Sequence, residues 1–436
     1  MTPRTLVTAA LLTFGLLAPQ SAAAATVSTD GLEAGKPARS GPAVARAADT
    51  SVEPNLVDQW ALASDQVMGI LTAWRQVTGS DTIVAIVDSG VDVSHRDLAP
   101  NIWTNAGEVA GNGVDDDHNG FVDDINGYDF VDRDGNPADQ NGHGTHVAGI
   151  VGARGDNGLG GSGVAQRVRM MAVRVLDANA AGTTDNVAKG IRYAVDNGAR
   201  IVNLSLAGPS AGAELEAAVA YAHARGVLIV AAAGNQSRDL GASPAFPVSL
   251  ADDFVIGVAA MNSQLQLADI SNYGAGADIA APGADILSTA VGGGYEWRTG
   301  TSMAAPAVAG TLALIAAARP DLGADGLRDA LFAGATSTNL PVAYGQVNAG
   351  NALRRVIAPE SWKEPVAAKA PDVVARSAAD VRKARAAVDA RVKAAAAKKA
   401  AVKRLAACKK AKKAAAKKGK KLSKRCRTIL KAAAKK

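Results

Sequence analysis

Five short, nearly continuous apolar runs recur along the chain, at Thr82–Val87, Met170–Leu176, Ile201–Leu206, Val227–Ala233 and Phe254–Ala260. A run without polar alternation must be covered on both faces, as strands of a parallel sheet are. Between the runs, Asp185–Asn197 and Ala211–Arg225 carry apolar residues at helical spacing. Each stops at a glycine, Gly198 or Gly226, a residue suited to the left-handed conformation that ends helices. The repeated order strand, helix, strand predicts an α/β fold, a doubly wound and mainly parallel sheet with helices on both faces. Sites in such sheets form beyond the carboxyl ends of the strands, so the residues just after each run are the candidates for chemistry.

With 436 residues, 48% of them hydrophobic, the chain can bury a large core. Its only cysteines, Cys408 and Cys426, lie near the C-terminus, which excludes a disulfide framework or redox chemistry in the main fold but permits one bond in an oxidising compartment. Residues 1–25 have the pattern of an export signal: Arg4, an apolar run from Leu6 to Leu17, and small residues Ala23-Ala24-Ala25. That run is too short to span a bilayer, and no later stretch is expected to do so. Residues 26–50, rich in Ala, Gly and Pro, are expected to be a flexible leader, and residues 51–357 the main domain. Residues 358–436 form an Ala/Lys-rich tail with 26 basic and 5 acidic residues, a net +21 that leaves the preceding chain at −15. Dense lysines repel one another, so a partly helical, solvated tail is expected.

Four segments follow strand or precede helix patterns. Asp88 closes the first run, where an aspartate is a helix cap or turn former as readily as a catalytic group. In Asn141-Gly142-His143-Gly144-Thr145-His146, glycines flank a histidine at the start of a helix, compatible with a catalytic, a structural or a metal-binding role. Ser302, in Gly300-Thr301-Ser302-Met303-Ala304-Ala305-Pro306, falls at a helix N-terminus, where free N–H groups favour an oxyanion and where serine is also an ordinary cap. Asn235 follows the fourth run, as an amide donor or as part of a Gly-Asn turn.

Taken together, these segments closely resemble the three signature motifs of the subtilases, and the resemblance extends from about Val57 to Ile357. It implies a serine endopeptidase of broad specificity working through an acyl-enzyme. Asp88 would orient His143, His143 would take the proton of Ser302, and Asn235 with the Ser302 N–H would hold the oxyanion. Ser205-Leu206-Ala207-Gly208 resembles the family's substrate-binding edge strand, with alanine at 207 where glycine is usual. Ala231-Ala232-Ala233-Gly234 would form a second wall of the specificity pocket.

Two calcium positions are expected. Asp115, Asp117, Asn119, Gly120 and Asp123 follow the alternate-oxygen pattern of a calcium loop, although Asn126 stands where a bidentate glutamate is usual. The resemblance adds Asp97 and Asn157, with carbonyls of the loop from Gly155 to Gly161. Where secreted subtilases usually carry a folded inhibitory prodomain, the leader here is short, and its trimming is expected to suffice for maturation. The expected product is a monomer, extracellular or held at the cell surface, acting on proteins or peptides. Its tail would be a solvated spacer or would bind anionic cell-wall polymer, nucleic acid or membrane. The rival classes are a catalytically idle scaffold whose tail does the binding, which the complete set Asp88, His143, Ser302 and Asn235 disfavours, and a peptide ligase or esterase using the same acyl chemistry.

Overall fold

The computed structural model describes residues 26–28, 53–358 and Cys426. Its strands are β1 (Thr26–Ser28), β2 (Ile83–Asp88), β3 (Gly127–Asp129), β4 (Arg169–Arg174), β5 (Ala181–Thr183), β6 (Ile201–Leu204), β7 (Leu228–Ala232), β8 (Val255–Met261), β9 (Ile279–Pro282), β10 (Ile286–Ala290) and β11 (Gly294–Arg298). The helices are α1 (Asp65–Met68), α2 (Ile70–Trp74), α3 (His143–Gly152), α4 (Thr184–Asp196), α5 (Gly212–Ala224), α6 (Thr301–Ala318), α7 (Ala324–Gly334) and α8 (Ala349–Ile357).

Seven strands form one sheet in the order β3-β4-β2-β6-β7-β8-β9, with every pair parallel. All five apolar runs are in it, and the reason for their continuity is visible in alternate residues. Val84, Ile86, Leu228 and Val230 face one core with α3 and α6, whereas Ala85, Val87, Ile229 and Ala231 face a second core with α4 and α5. Each strand is therefore apolar on both sides. Helices α4 and α5 end before Gly198 and Gly226, both at positive φ (80° and 69°). The crossover direction changes at β2, flanked by β4 and β6, so its carboxyl end, carrying Asp88, sits at the switch point of the sheet.

Helix α6 is long and apolar enough to cross a membrane, contrary to the expectation that no later segment is, yet 89% of it is buried as the core helix of this fold. The leader also departs from expectation at its first residues. β1 pairs antiparallel with β5, and Ser28 exchanges two 3.2 Å backbone bonds with Ala207. Three residues are too few to show a periodicity, so composition alone could not reveal this strand. Residues 1–25, 29–52, 359–425 and 427–436, which include the expected export signal, most of the expected leader, most of the tail and Cys408, lie outside the described residues. Cys426 is disulfide-bonded.

Candidate active site

Asp88 and His143 are both fully buried, and His143 Nδ1 donates to Asp88 Oδ1 at 2.7 Å. Ser89 N–H donates to the same oxygen. With Nδ1 donating to Asp88, the neutral ring would present Nε2 as its acceptor, and Nε2 has no partner among the described residues. Close approach of α3 to β2 depends on Gly144, where an added Cβ would lie 2.1 Å from the Gly90 carbonyl oxygen and 3.2 Å from Asp88 Cβ.

The start of α3 is tied down by Asp139, a residue that motif reading missed. Its Oδ1 accepts from Gly142 N–H and Ser89 Oγ, and its Oδ2 from Thr145 N–H and Oγ1. Ser89 Oγ in turn accepts from Gly144 N–H. An aspartate shortly before a helical pattern is the signal that was available. His146, the second histidine, points elsewhere: its Nε2 donates to Glu296 O at 3.1 Å, and its buried Nδ1 has no partner among the described residues. Burial, reinforced by the Arg298 charge, pushes its pKa down to about 3.

Ser302 is the second residue of α6, which packs against α3. Pro306 lacks the N–H that would normally bond the carbonyl four residues earlier, that of Ser302. Ser205 Oγ fills the vacancy at 2.8 Å, while Ser302 Oγ donates to the Ser205 carbonyl at 3.1 Å. The wall strand and the serine are thus fastened to each other twice. Asn235 Oδ1 accepts from Thr301 N–H and Thr301 Oγ1, both at 2.9 Å, which turns its NH₂ away from the helix. Ser302 N–H has no acceptor among the described residues.

Ser302 and Asn235 line a cleft of about 310 Å³ with Leu206, Ala207, Gly208, Ala232 and Gly234. Ser205 lies beneath it, bonded to Ser302. Ala231 and Ala233 do not line it, a correction to the expected wall: they alternate with Ala232 and project into the second core. Thr26 and Ser28 of β1 line the same cleft, laid between Ala181–Thr183 and Ala207 as an extended guest strand. Pro209, Gln236, Arg238 and Thr301 complete the lining.

At the acidic loop the structure gathers Glu108, Asp115 and Asp117, whose carboxylate oxygens lie within 4.8 Å of one another. Glu108 was not expected there. Asp123 serves elsewhere, accepting the N–H groups of Gly111, Asn112 and Gly113, and Asn119 Oδ1 accepts Phe121 N–H. Asn126 Nδ2 donates to Trp103 O. At the second position Asn157 Nδ2 donates to Asp97 Oδ1 at 2.8 Å, and Asn157 N–H to Glu53 Oε1 at 2.9 Å. Burial raises both carboxyl pKa values, that of Asp97 to about 6, where the Glu53 charge adds to the effect. Glu53 Oε2 is buried and has no partner among the described residues. Buried oxygen donors left with excess negative charge fit a hard divalent cation.

Residues 79–355 match the profile of the subtilase family, Peptidase_S8. The chain is 40% identical over 286 residues to the thermophilic serine proteinase of Bacillus sp. (strain AK1), covering 64% of each, and so spans less than two thirds of that relative. It is 41% identical over 244 residues to thermitase of Thermoactinomyces vulgaris, covering 56% of this chain and 78% of that one. Subtilisin Savinase of Lederbergia lenta is 38% identical over 282 residues, covering 64% and 93%. Among solved structures, a protease of Pseudoalteromonas arctica matches with a TM-score of 0.58 and 30% identity, over 70% of this chain and 98% of that one. The parallel sheet with Asp88 at its switch point, and His143 and Ser302 at the starts of two packed helices, thus belongs to a subtilisin-like α/β fold. The chain is a member of the subtilase family.

Proposed function

We propose that this protein is a secreted serine endopeptidase that hydrolyses peptide bonds of proteins with Asp88, His143 and Ser302. The observation that carries the reading is the buried Asp88–His143 pair with Nε2 left free to accept a proton. The assignment of roles follows the family's own chain order, matched residue by residue.

In this reading His143 Nε2 takes the Ser302 hydroxyl proton as Oγ attacks the scissile carbonyl, and the hydroxyl exchanges its bond to Ser205 O for one to the imidazole. Asp88 holds the ring and stabilises the imidazolium. The carbonyl oxygen, now negative, is met by Asn235 Nδ2 and Ser302 N–H. Removing one such donor typically costs about 10²- to 10³-fold in turnover, a magnitude that comes from this same family rather than from the present geometry. His143 then protonates the leaving amine, and water repeats the sequence to release the acyl group. The substrate would bind as an extended strand between Ala181–Thr183 and Ser205–Gly208, the place β1 takes in this structure. Main-chain pairing of that kind tolerates many sequences.

Calcium is proposed at Asp97, Asn157 and Glu53, with carbonyls of residues 155–161, and at Glu108, Asp115 and Asp117, where it would offset the buried or crowded negative charge. Export through residues 1–25 and attachment of the basic tail to an anionic surface rest on sequence alone. Hydrolysis of unfolded casein tests the main reading. The full chain should cleave it, Ser302→Ala should not, and a folded wild type that leaves casein intact would favour the idle scaffold.

A further inference from the structure

We propose that Arg238 makes this cleft selective for an acidic side chain, aspartate or glutamate, on the residue whose carbonyl is attacked. The inference deepens the proposed peptidase function and rests on Ser302 as the nucleophile. Arg238 lines the cleft together with Ser302, Asn235 and Gly234. Among the described residues its buried Nε has no acceptor and no ion pair includes it. The neighbouring Asp239 forms no ion pair with it, and its Oδ1 accepts Gly241 N–H. The loop that presents the arginine is pinned at both backbone groups, with Arg238 N–H donating to Asn272 Oδ1 at 3.2 Å and Tyr273 N–H donating to Arg238 O at 3.1 Å. A carboxylate is the group that pairs best with a guanidinium.

The guest strand β1 shows which substrate residue would meet it. Ser28 stands opposite Ala207 in antiparallel register. Each step forward in such a guest is a step back along the wall, so the residue two positions beyond Ser28's place opposes Ser205. The Ser205 carbonyl is 3.1 Å from Ser302 Oγ, which puts that residue's own carbonyl at the nucleophile. Side chains of a strand alternate. Thr26 and Ser28 line the cleft, whereas Val27, 1% exposed, packs into the second core. The residue two beyond Ser28's place therefore projects its side chain into the cleft that Arg238 lines. The sequence Thr26-Val27-Ser28-Thr29-Asp30 supplies a natural probe peptide.

The test uses the full chain with chromogenic amides of Thr-Val-Ser-Thr-Asp and of its Asn and Leu counterparts. The expected kcat/KM for the Asp amide exceeds that for the Asn amide by about tenfold or more, as a charge-assisted bond allows. In Arg238→Gln the ratio should fall towards one, and in Arg238→Glu a Lys amide should overtake the Asp amide. Equal use of Asp and Asn amides by wild type, or a ratio that survives Arg238→Gln, overturns the proposal. Failure of the peptidase reading looks different, with no amide and no casein hydrolysed. In that case, binding of fluorescein-labelled Asp and Asn peptides to the Ser302→Ala chain decides the question: the Asp peptide should bind tighter, and equal binding would refute the role of Arg238.

Discussion

His146 illustrates how a single buried residue couples this fold to pH. Its folded pKa, about 3, lies below the ordinary histidine value because burial disfavours the charged ring. The unfolded chain takes up a proton below about pH 6.5 and the folded one does not, so the contribution to stability is full above that pH and is lost as pH falls towards about 3. The slope is about 1.4 kcal/mol per pH unit for one proton. His146→Gln, which keeps a donor for Glu296 O, should reduce the pH dependence of unfolding free energy by that one proton between pH 6 and 4, measured by denaturant titration in the Ser302→Ala background. An unchanged slope would refute the assignment. At this scale the sequence exposed Asp88, His143, Asn235 and Ser302, because each stands in a short motif at a strand end or helix start. It hid Glu53, whose partner Asn157 comes from a distant segment, and Glu108 and Arg238, which carry no local signature, while Asp139 offered only the weak signal of an aspartate shortly before a helical pattern.

Two elements, α6 and the wall after β6, hold the serine in place through the reciprocal bonds between Ser205 and Ser302. Ser205→Ala would leave the Ser302 carbonyl, already deprived of a helical partner by Pro306, without its donor. We expect a loss of stability of about 1–3 kcal/mol and a lower kcat, checked by chemical denaturation and by peptide hydrolysis. Unaltered stability would mean that the carbonyl is satisfied in another way. The elements that were legible are those buried on both faces, since continuous apolar runs and helical spacing both come from full burial. The hairpin β10–β11 escaped notice because β11 is partly exposed and mixed in character, with Glu296 and Arg298 between aromatic residues. Strand β9, Ile-Ala-Ala-Pro, is short and built of small residues, and β3 is a three-residue edge.

At the scale of the whole molecule, the proposed calcium positions would make stability depend on cations. Removal of calcium from the Ser302→Ala chain with EGTA should lower Tm by several degrees, because a ligand at about 100 times its Kd stabilises by about 2.7 kcal/mol. Asp97→Asn should diminish that response, and a Tm indifferent to EGTA in both proteins, with no calcium copurifying, would refute both positions. The central claim, that the fold activates one serine among many, is tested most directly by reaction of the full chain with phenylmethylsulfonyl fluoride followed by intact mass and peptide mapping. The account predicts one sulfonyl adduct per chain, located on Ser302, abolished in His143→Ala and accompanied by loss of hydrolysis. An adduct on another residue, or full hydrolytic activity in a chain that acquires none, would contradict it.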